Sequence, residues 1–298
     1  MSMTAIYTMQ YQKMLEAVTE KRSYMNVVFG AVDITDGVTH SDTAYRVKTI
    51  DMEPVVNTYS KDPNVGFGTG TSNSSRFGPV QEIIAKDIAV PYTYDYAINE
   101  GIDKFTVNAD ADAVVAQRLL VHAGKQLKKI DTSFAHALMD ASTKNITSTT
   151  VKEIFDDLNV HFKNNEVIGQ RVLFVTPEFN NEIVMDSVNT TAKNSTVNIN
   201  LNEAKTYRGF MIVEVPSQLL ERDGTQYNCI ATVVGIGKAF FGMDVTRIVE
   251  AIDFNGSHLQ SAGRGGSFIP DANKVAIAVS SVTITTPINA TKPKMDKK

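Results

Sequence analysis

Histidine, cysteine and glycine-rich loops are where this sequence would carry chemistry if it carried any, and each group has a plainer reading. The histidines, His40, His122, His136, His161 and His258, are scattered. None falls in the HxxxH or HExxH spacing that puts two metal ligands on one helical face. His122 and His136 share one predicted helix, but at about 1.5 Å of rise per residue they lie roughly 20 Å apart. The stretch GFGTGTS, Gly66 to Ser72, lacks the GxGxxG frame and does not join a strand to a helix. GIGKAFFG, Gly235 to Gly242, has a Gly-Lys pair without the GxxxxGK[ST] frame that cradles phosphate, so both read as turns or flexible segments. There is no GxSxG elbow, and Cys229 lies in the apolar run CIATVV, where a thiol packs and does not attack. Asp156 and Asp157 fall on a solvated helix face. No catalytic, cofactor-binding or metal-ligating set emerges, and neither an enzymatic activity nor a cofactor is expected.

Composition narrows the class further. The chain has 298 residues, 43% hydrophobic and 21% charged, proportions that favour folding and speak against wholesale disorder. That length suffices for two domain-sized cores or one large irregular subunit. A net charge of −4 lacks the basic footprint of tight nucleic-acid binding, although it is compatible with merely surrounding nucleic acid. No run of about 18 apolar residues predicts a membrane span, and the first residues lack the basic and apolar regions of a secretory signal. One cysteine cannot form an internal disulfide, which agrees with synthesis in a reducing cytosol.

The elements that would position any site centre on Asn108 to Ala141. Ala116, Leu119, Ala123, Leu127, Ile130, Phe134 and Leu138 step by three or four, with Lys125, Lys128, Lys129 and Asp131 on the other side. Asn108 caps this long amphipathic helix, which spans roughly 50 Å, more than a compact domain needs. Before it, Tyr11 to Asn26 reads as a short helix in an N-terminal arm and Ala44 to Ile50 as a strand. Asp51 to Tyr92 follows as an extended hairpin with legs at Val55 to Tyr59 and Val80 to Val90. Its tip, Pro63 to Pro79, is dominated by Gly, Pro, Ser, Thr and Asn. Loops of this length are functional or disordered, and a two-stranded arm is marginal alone, so docking on another molecule is expected. Tyr92, Tyr94, Tyr96 and Ile98 alternate as a half-buried strand leading into the helix.

Beyond it the pattern becomes α/β. Thr150 caps a helix carrying Val151, Ile154, Phe155, Leu158 and Phe162, Arg171 to Val175 is a buried strand, and Thr176-Pro177 starts a second helix. Gly209 to Val215 and Tyr227 to Val234 are further strands. Val245 to Ile252, Asn255 to Pro270 and Val275 to Thr286 read as strand, glycine-rich loop and strand, before a polar, basic tail.

In this order the elements resemble the major capsid proteins of tailed bacteriophages with the HK97-type fold. The likeness rests on the arm, the Gly/Ser-tipped hairpin, the long helix, the "VTPEF" turn and "YRGFMIVEVP". It implies an α+β fold with residues 1–30 as N-terminal arm, 31–50 as a peripheral-domain strand and 51–92 as the E-loop hairpin. Residues 93–147 would form the peripheral domain with its spine helix, 148–242 the axial domain, 243–286 a return to the peripheral domain and 287–298 a tail. The resemblance assigns intersubunit contacts to Lys61, Val65, Gly66, Phe67, Gly68, Gly70, Arg76 and Phe77 of the E-loop. The spine core would be Leu119, Ala123, Leu127, Ile130, Phe134 and Leu138. It further implies pentamers and hexamers of the chain itself in an icosahedral shell around double-stranded DNA. Separate scaffold and portal proteins would assist, with assembly in the host bacterial cytoplasm and no membrane. With no helical scaffold segment ahead of the arm, no proteolytic processing is expected, and Lys61 reads as a solvated loop lysine and not a cross-linking one. An encapsulin-like bacterial compartment is the alternative within this fold, and an α/β enzyme of unknown chemistry the alternative outside it.

Overall fold

The computed structural model describes residues 23–34, 42–50, 52–62, 65, 75–104, 111–185, 197–198 and 203–281. Two compact units emerge: Ser41–Pro91, and Met1–His40 together with Tyr92–Lys298. The arm before Ser23, the hairpin tip with Gly66, Phe67, Gly68 and Gly70, the cap Asn108 and the tail lie outside the described residues.

The larger unit opens with a 3-10 turn, Met25–Val27, and strand β1 (Phe29–Ile34). The turn is fixed by Asp131, a buried carboxylate that accepts from Ser23 Oγ at 2.7 Å and from the Tyr24 N–H at 3.0 Å. Burial pushes the Asp131 carboxyl above its ordinary value, and these hydrogen bonds act against that rise. The sequence pattern puts Asp131 on the solvated side of its helix; it is buried because it caps this turn.

The smaller unit is an antiparallel pair, β2 (Thr43–Thr49) and β3 (Lys86–Pro91). The predicted strand at Ala44 to Ile50 therefore pairs within the smaller unit, and the ladder forms at the hairpin's root. Farther out, residues 52–62 and 75–85 have no strand pairing, although Ser60 N–H donates to the Arg76 carbonyl at 3.0 Å and the Tyr59 ring meets Phe77 edge-on at 5.3 Å. The expected strand at Val55 to Tyr59 is absent: the outer legs bury no apolar face, Val55, Val56 and Val80 being exposed, whereas Val90 at the root is buried.

After this unit the chain runs through β4 (Tyr94–Asp103) into helix α1 (Ala111–Asp140), then β5 (Lys144–Ile146) and α2 (Val151–Asn164). Thr150 caps α2 as its sequence predicts, its side chain accepting from the Glu153 N–H at 3.3 Å. Strand β6 (Arg171–Val175) leads to α3 (Pro177–Met185), whose first turn is capped by Thr176 Oγ1. The short strands β7 (Val197–Asn198), β8 (Glu203–Ala204) and β9 (Thr206–Tyr207) precede β10 (Phe210–Glu214). The link from β9 to β10 holds Arg208 and Gly209 at φ +48° and +88°, a mirror-image turn that suits strand twist. There follow β11 (Glu221–Arg222), β12 (Thr225–Gln226), β13 (Cys229–Val233), β14 (Gly237–Glu250), β15 (Gly256–Phe268) and β16 (Ala278–Ser280).

Two sheets organise the larger unit: a four-stranded sheet in the order β1-β14-β15-β4, and a six-stranded one in the order β5-β16-β13-β6-β10-β9. In the second, β6 is buried along nearly its whole length, and Phe155 and Phe162 of α2 pack edge-on against Phe210 at 5.8 and 5.5 Å. One apolar core runs from this sheet to Ile130, Phe134 and Leu138 of α1 and on to Met25, Val28 and Phe29. The segment read from sequence as a glycine-rich loop, Asn255 to Pro270, is instead the long strand β15. Its glycines are sites of close approach: a Cβ on Gly265 would lie 2.5 Å from Tyr94 Oη and 2.6 Å from the Phe240 carbonyl, and one on Gly256 would overlap the Ile102 carbonyl. Glycine here permits pairing at tight distance and is not a signal of a loop.

Candidate assembly surfaces

Helix α1 is covered on different faces along its length. At 100° per residue, Ala116, Ala123 and Leu127 share the angular position of Phe134, while Val114, Arg118 and His122 lie on the opposite side. Toward the carboxyl end the first face is covered: Ile130, Phe134 and Leu138 are buried. Toward the amino end the four-stranded sheet lies on the other face, so Val114 and His122 are buried, Leu119 and Leu127 are half-buried, and Ala116 and Ala123 are exposed. Leu120 is 76% exposed. Placing Ala123 in the core is thus corrected: the stripe is continuous, but its own subunit covers only half of it.

What holds the uncovered half is polar. Arg118 Nε donates to Glu100 of β4 at 2.8 Å, its Nη2 donates to the other carboxylate oxygen, and His122 Nε2 lies 3.0 Å from the same group. On the far side His122 Nδ1 is 3.2 Å from Ser261 Oγ of β15, which also accepts from Thr246 of β14 at 3.2 Å. The guanidinium of Arg118, foremost, holds the Glu100 carboxyl well below its ordinary value, at about 2, with His122 adding to the effect. Serine, histidine and glutamate in a chain have the composition of a hydrolytic triad. Here His122 and Ser261 are each only 2% exposed, so no substrate reaches them and the chain acts as a clamp between helix and sheet. Sequence spacing gave no sign of it, since Glu100, His122 and Ser261 come from three distant segments; the one local signal was Arg118 and His122 stacked one turn apart.

The other predicted chemical groups fall apart in space. Cys229 is buried in the six-stranded sheet, and desolvation pushes its thiol up to about 12, which removes it as a nucleophile. Among the described residues no three His, Cys, Asp or Glu side chains converge as metal ligands, and no helix is long and apolar enough to cross a membrane.

The second apolar surface is the hairpin unit. Val56 and Val80 are each 94% exposed, and Val55, Phe77, Ile83 and Ile84 are exposed beside them. Of the E-loop residues singled out from sequence, Lys61 is exposed, Val65 is half-buried and its carbonyl accepts from Arg76 Nε at 3.1 Å, and Phe77 is exposed against Tyr59. A row of large apolar side chains in water is the kind of surface that marks interaction sites in proteins.

No protein-family profile matches the chain, and no curated protein matches it in sequence. Solved structures do match it along almost its whole length. The asymmetric unit of the bacteriophage PhiM1 mature capsid superposes with a TM-score of 0.65 at 9% identity, covering 92% of this chain and 91% of the other. The capsid of the cyanophage P-SCSP1u gives 0.63 at 10% identity, with 91% of each chain covered. A structure from Mycobacterium phage Che8 gives 0.63 at 14% identity, covering 91% of this chain and 95% of its own. The fold is the HK97-type capsid fold.

Proposed function

We propose that this chain is the major head subunit of a tailed bacteriophage, assembling through pentamers and hexamers into an icosahedral shell around double-stranded DNA. The observation that carries this reading is that more than nine-tenths of the chain follows the fold of phage capsid chains. The exposed apolar hairpin supports it, since burying such side chains against a neighbour gains roughly 1.5–3 kcal/mol each and leaving them in water gains nothing. In this reading the subunit is structural and has no catalytic role. Lys61, Val65, Gly66, Phe67, Gly68, Gly70, Arg76 and Phe77 lie over an adjacent subunit, separate scaffold and portal proteins take part, and assembly occurs in the bacterial cytoplasm. DNA is contained without being read, in keeping with a net charge of −4.

Negative-stain electron microscopy with light scattering on the purified chain, alone and with its scaffold co-expressed, tests this directly. Closed particles or capsomer rings are expected. A monodisperse monomer or dimer under both conditions overturns the reading.

A further inference from the structure

Among the described residues, the amino half of α1 leaves an apolar stripe open. Ala116, Leu120 and Ala123 are exposed and Leu127 is half-buried, at the angular position where Phe134 and Leu138 are buried farther along. The carboxyl half of that position is covered by the beginning of the described chain. Met25, Val28 and Phe29 share one core with Ile130, Phe134 and Leu138, and the Phe29 ring lies 4.8 Å from that of Phe134. Ser23 and Tyr24 are held nearer the amino end of α1, on the two carboxylate oxygens of Asp131 at 2.7 and 3.0 Å. Read backwards from Phe29 to Ser23, the chain therefore climbs α1 from Phe134 to Asp131. The next position on that path is Leu127.

The residues ahead of Ser23 have the pattern to continue it. Tyr11, Met14, Leu15 and Val18 recur at the three- and four-residue steps of a helical face, in phase with the buried Met25, while Lys13, Glu16 and Glu20 fall on the opposite side. As a helix, Tyr11 to Ser23 spans about 18 Å, and Leu120 to Asp131 spans about 16 Å. Two helices running in the same direction rise equally per residue, so the bond between Ser23 and Asp131, 108 positions apart, also sets the register. That offset puts Leu15 on Ala123, Val18 beside Leu127 and Tyr11 beside Leu120. Ala123, being small, leaves room for the larger Leu15.

We propose that residues 11–22 form an amphipathic helix that docks on the open stripe of α1 in their own chain, parallel to it. The docking adds little to the unfolding stability of the free subunit, because a helix of twelve residues is marginal in water by itself. It does not depend on the shell reading.

Paired cysteines in the full chain test it, since a disulfide requires two Cα atoms within about 4.4–6.8 Å. Mild oxidation of Leu15→Cys with Ala123→Cys should close a disulfide inside one chain, read as a faster-migrating band on a non-reducing denaturing gel. Two pairs of similar chain separation should close several-fold more slowly. Glu16→Cys with Ala123→Cys turns the docked helix over, and Leu15→Cys with Lys125→Cys moves the target to the far side of α1. Ala123 and Lys125 are exposed, so these substitutions leave the core intact. Cys229 does not compete, being buried with its thiol pushed up to about 12. Equal rates in the three pairs, no disulfide in any, or a disulfide that joins two chains and does not close within one, would overturn the proposal; the last result would assign the stripe to a second copy.

Discussion

Glu100 is the residue on which the polar half of the helix–sheet contact turns. Its carboxyl titrates at about 2 in the fold against an ordinary value of 4.5, because Arg118 and His122 bond its charged form. A depressed folded value means that the stabilisation is complete above pH 4.5 and is lost as the pH falls through about 2. Denaturant titrations from pH 7 to pH 2 should therefore show a steep acid limb in the parent. Glu100→Gln should be less stable at neutral pH and flatter between pH 4.5 and 2. A variant with the parent's acid slope would show that the Arg118 bond is not what lowers the carboxyl. His122 illustrates how a sequence hides such a role. A lone histidine in an amphipathic helix carries no spacing signal, and only folding brings it between Glu100 and Ser261.

At the scale of the element, α1 and the hairpin pose the same physical problem, apolar surface that the subunit does not cover. The period of α1 was legible in the sequence, as were its length and the caps of α2 and α3, because those depend on local spacing. Which face of α1 is buried was not legible, since that depends on where the four-stranded sheet lies. The hairpin was likewise legible as an arm, but its ladder lies at Thr43–Thr49 and Lys86–Pro91, where Val90 is buried, whereas Val55, Val56 and Val80 farther out are exposed. β15 was missed because glycine serves equally for a turn and for a tight crossing, and only the rings of Tyr94 and Phe254 against it tell them apart. These surfaces separate folding from association. Leu120→Glu, on the open stripe, is expected to change unfolding stability by no more than about 0.5 kcal/mol, as for other surface sites, while reducing particle yield. Deletion of Lys61 to Arg76 should leave a soluble monomer that forms no closed shells. Normal particles from either variant would show that its surface faces solvent in the assembly.

For the molecule as a whole, association through exposed aliphatic side chains carries its own solution signature. Apolar contacts are strengthened by sulfate and are little affected by simple salt, whereas ion pairs weaken as the Debye length shrinks to about 8 Å at 0.15 M. Light scattering from the purified chain should rise with ammonium sulfate and hold steady between about 50 and 300 mM sodium chloride. Dissolution by sodium chloride in that range would instead assign the contacts to surface charges such as Lys61 and Arg76.

The crowded glycines of the four-stranded sheet bear on how such a chain can vary. At Gly242, Gly256 and Gly265 even a methyl group meets a ring or a carbonyl of a neighbouring segment, whereas Lys61 stands in water. In a library of random variants selected for intact particles, the three glycines would be among the positions that tolerate no replacement, and Lys61 would accept many. A lineage under such selection can rewrite its outer contacts while its sheet stays fixed, and so drift far in sequence without leaving its shape.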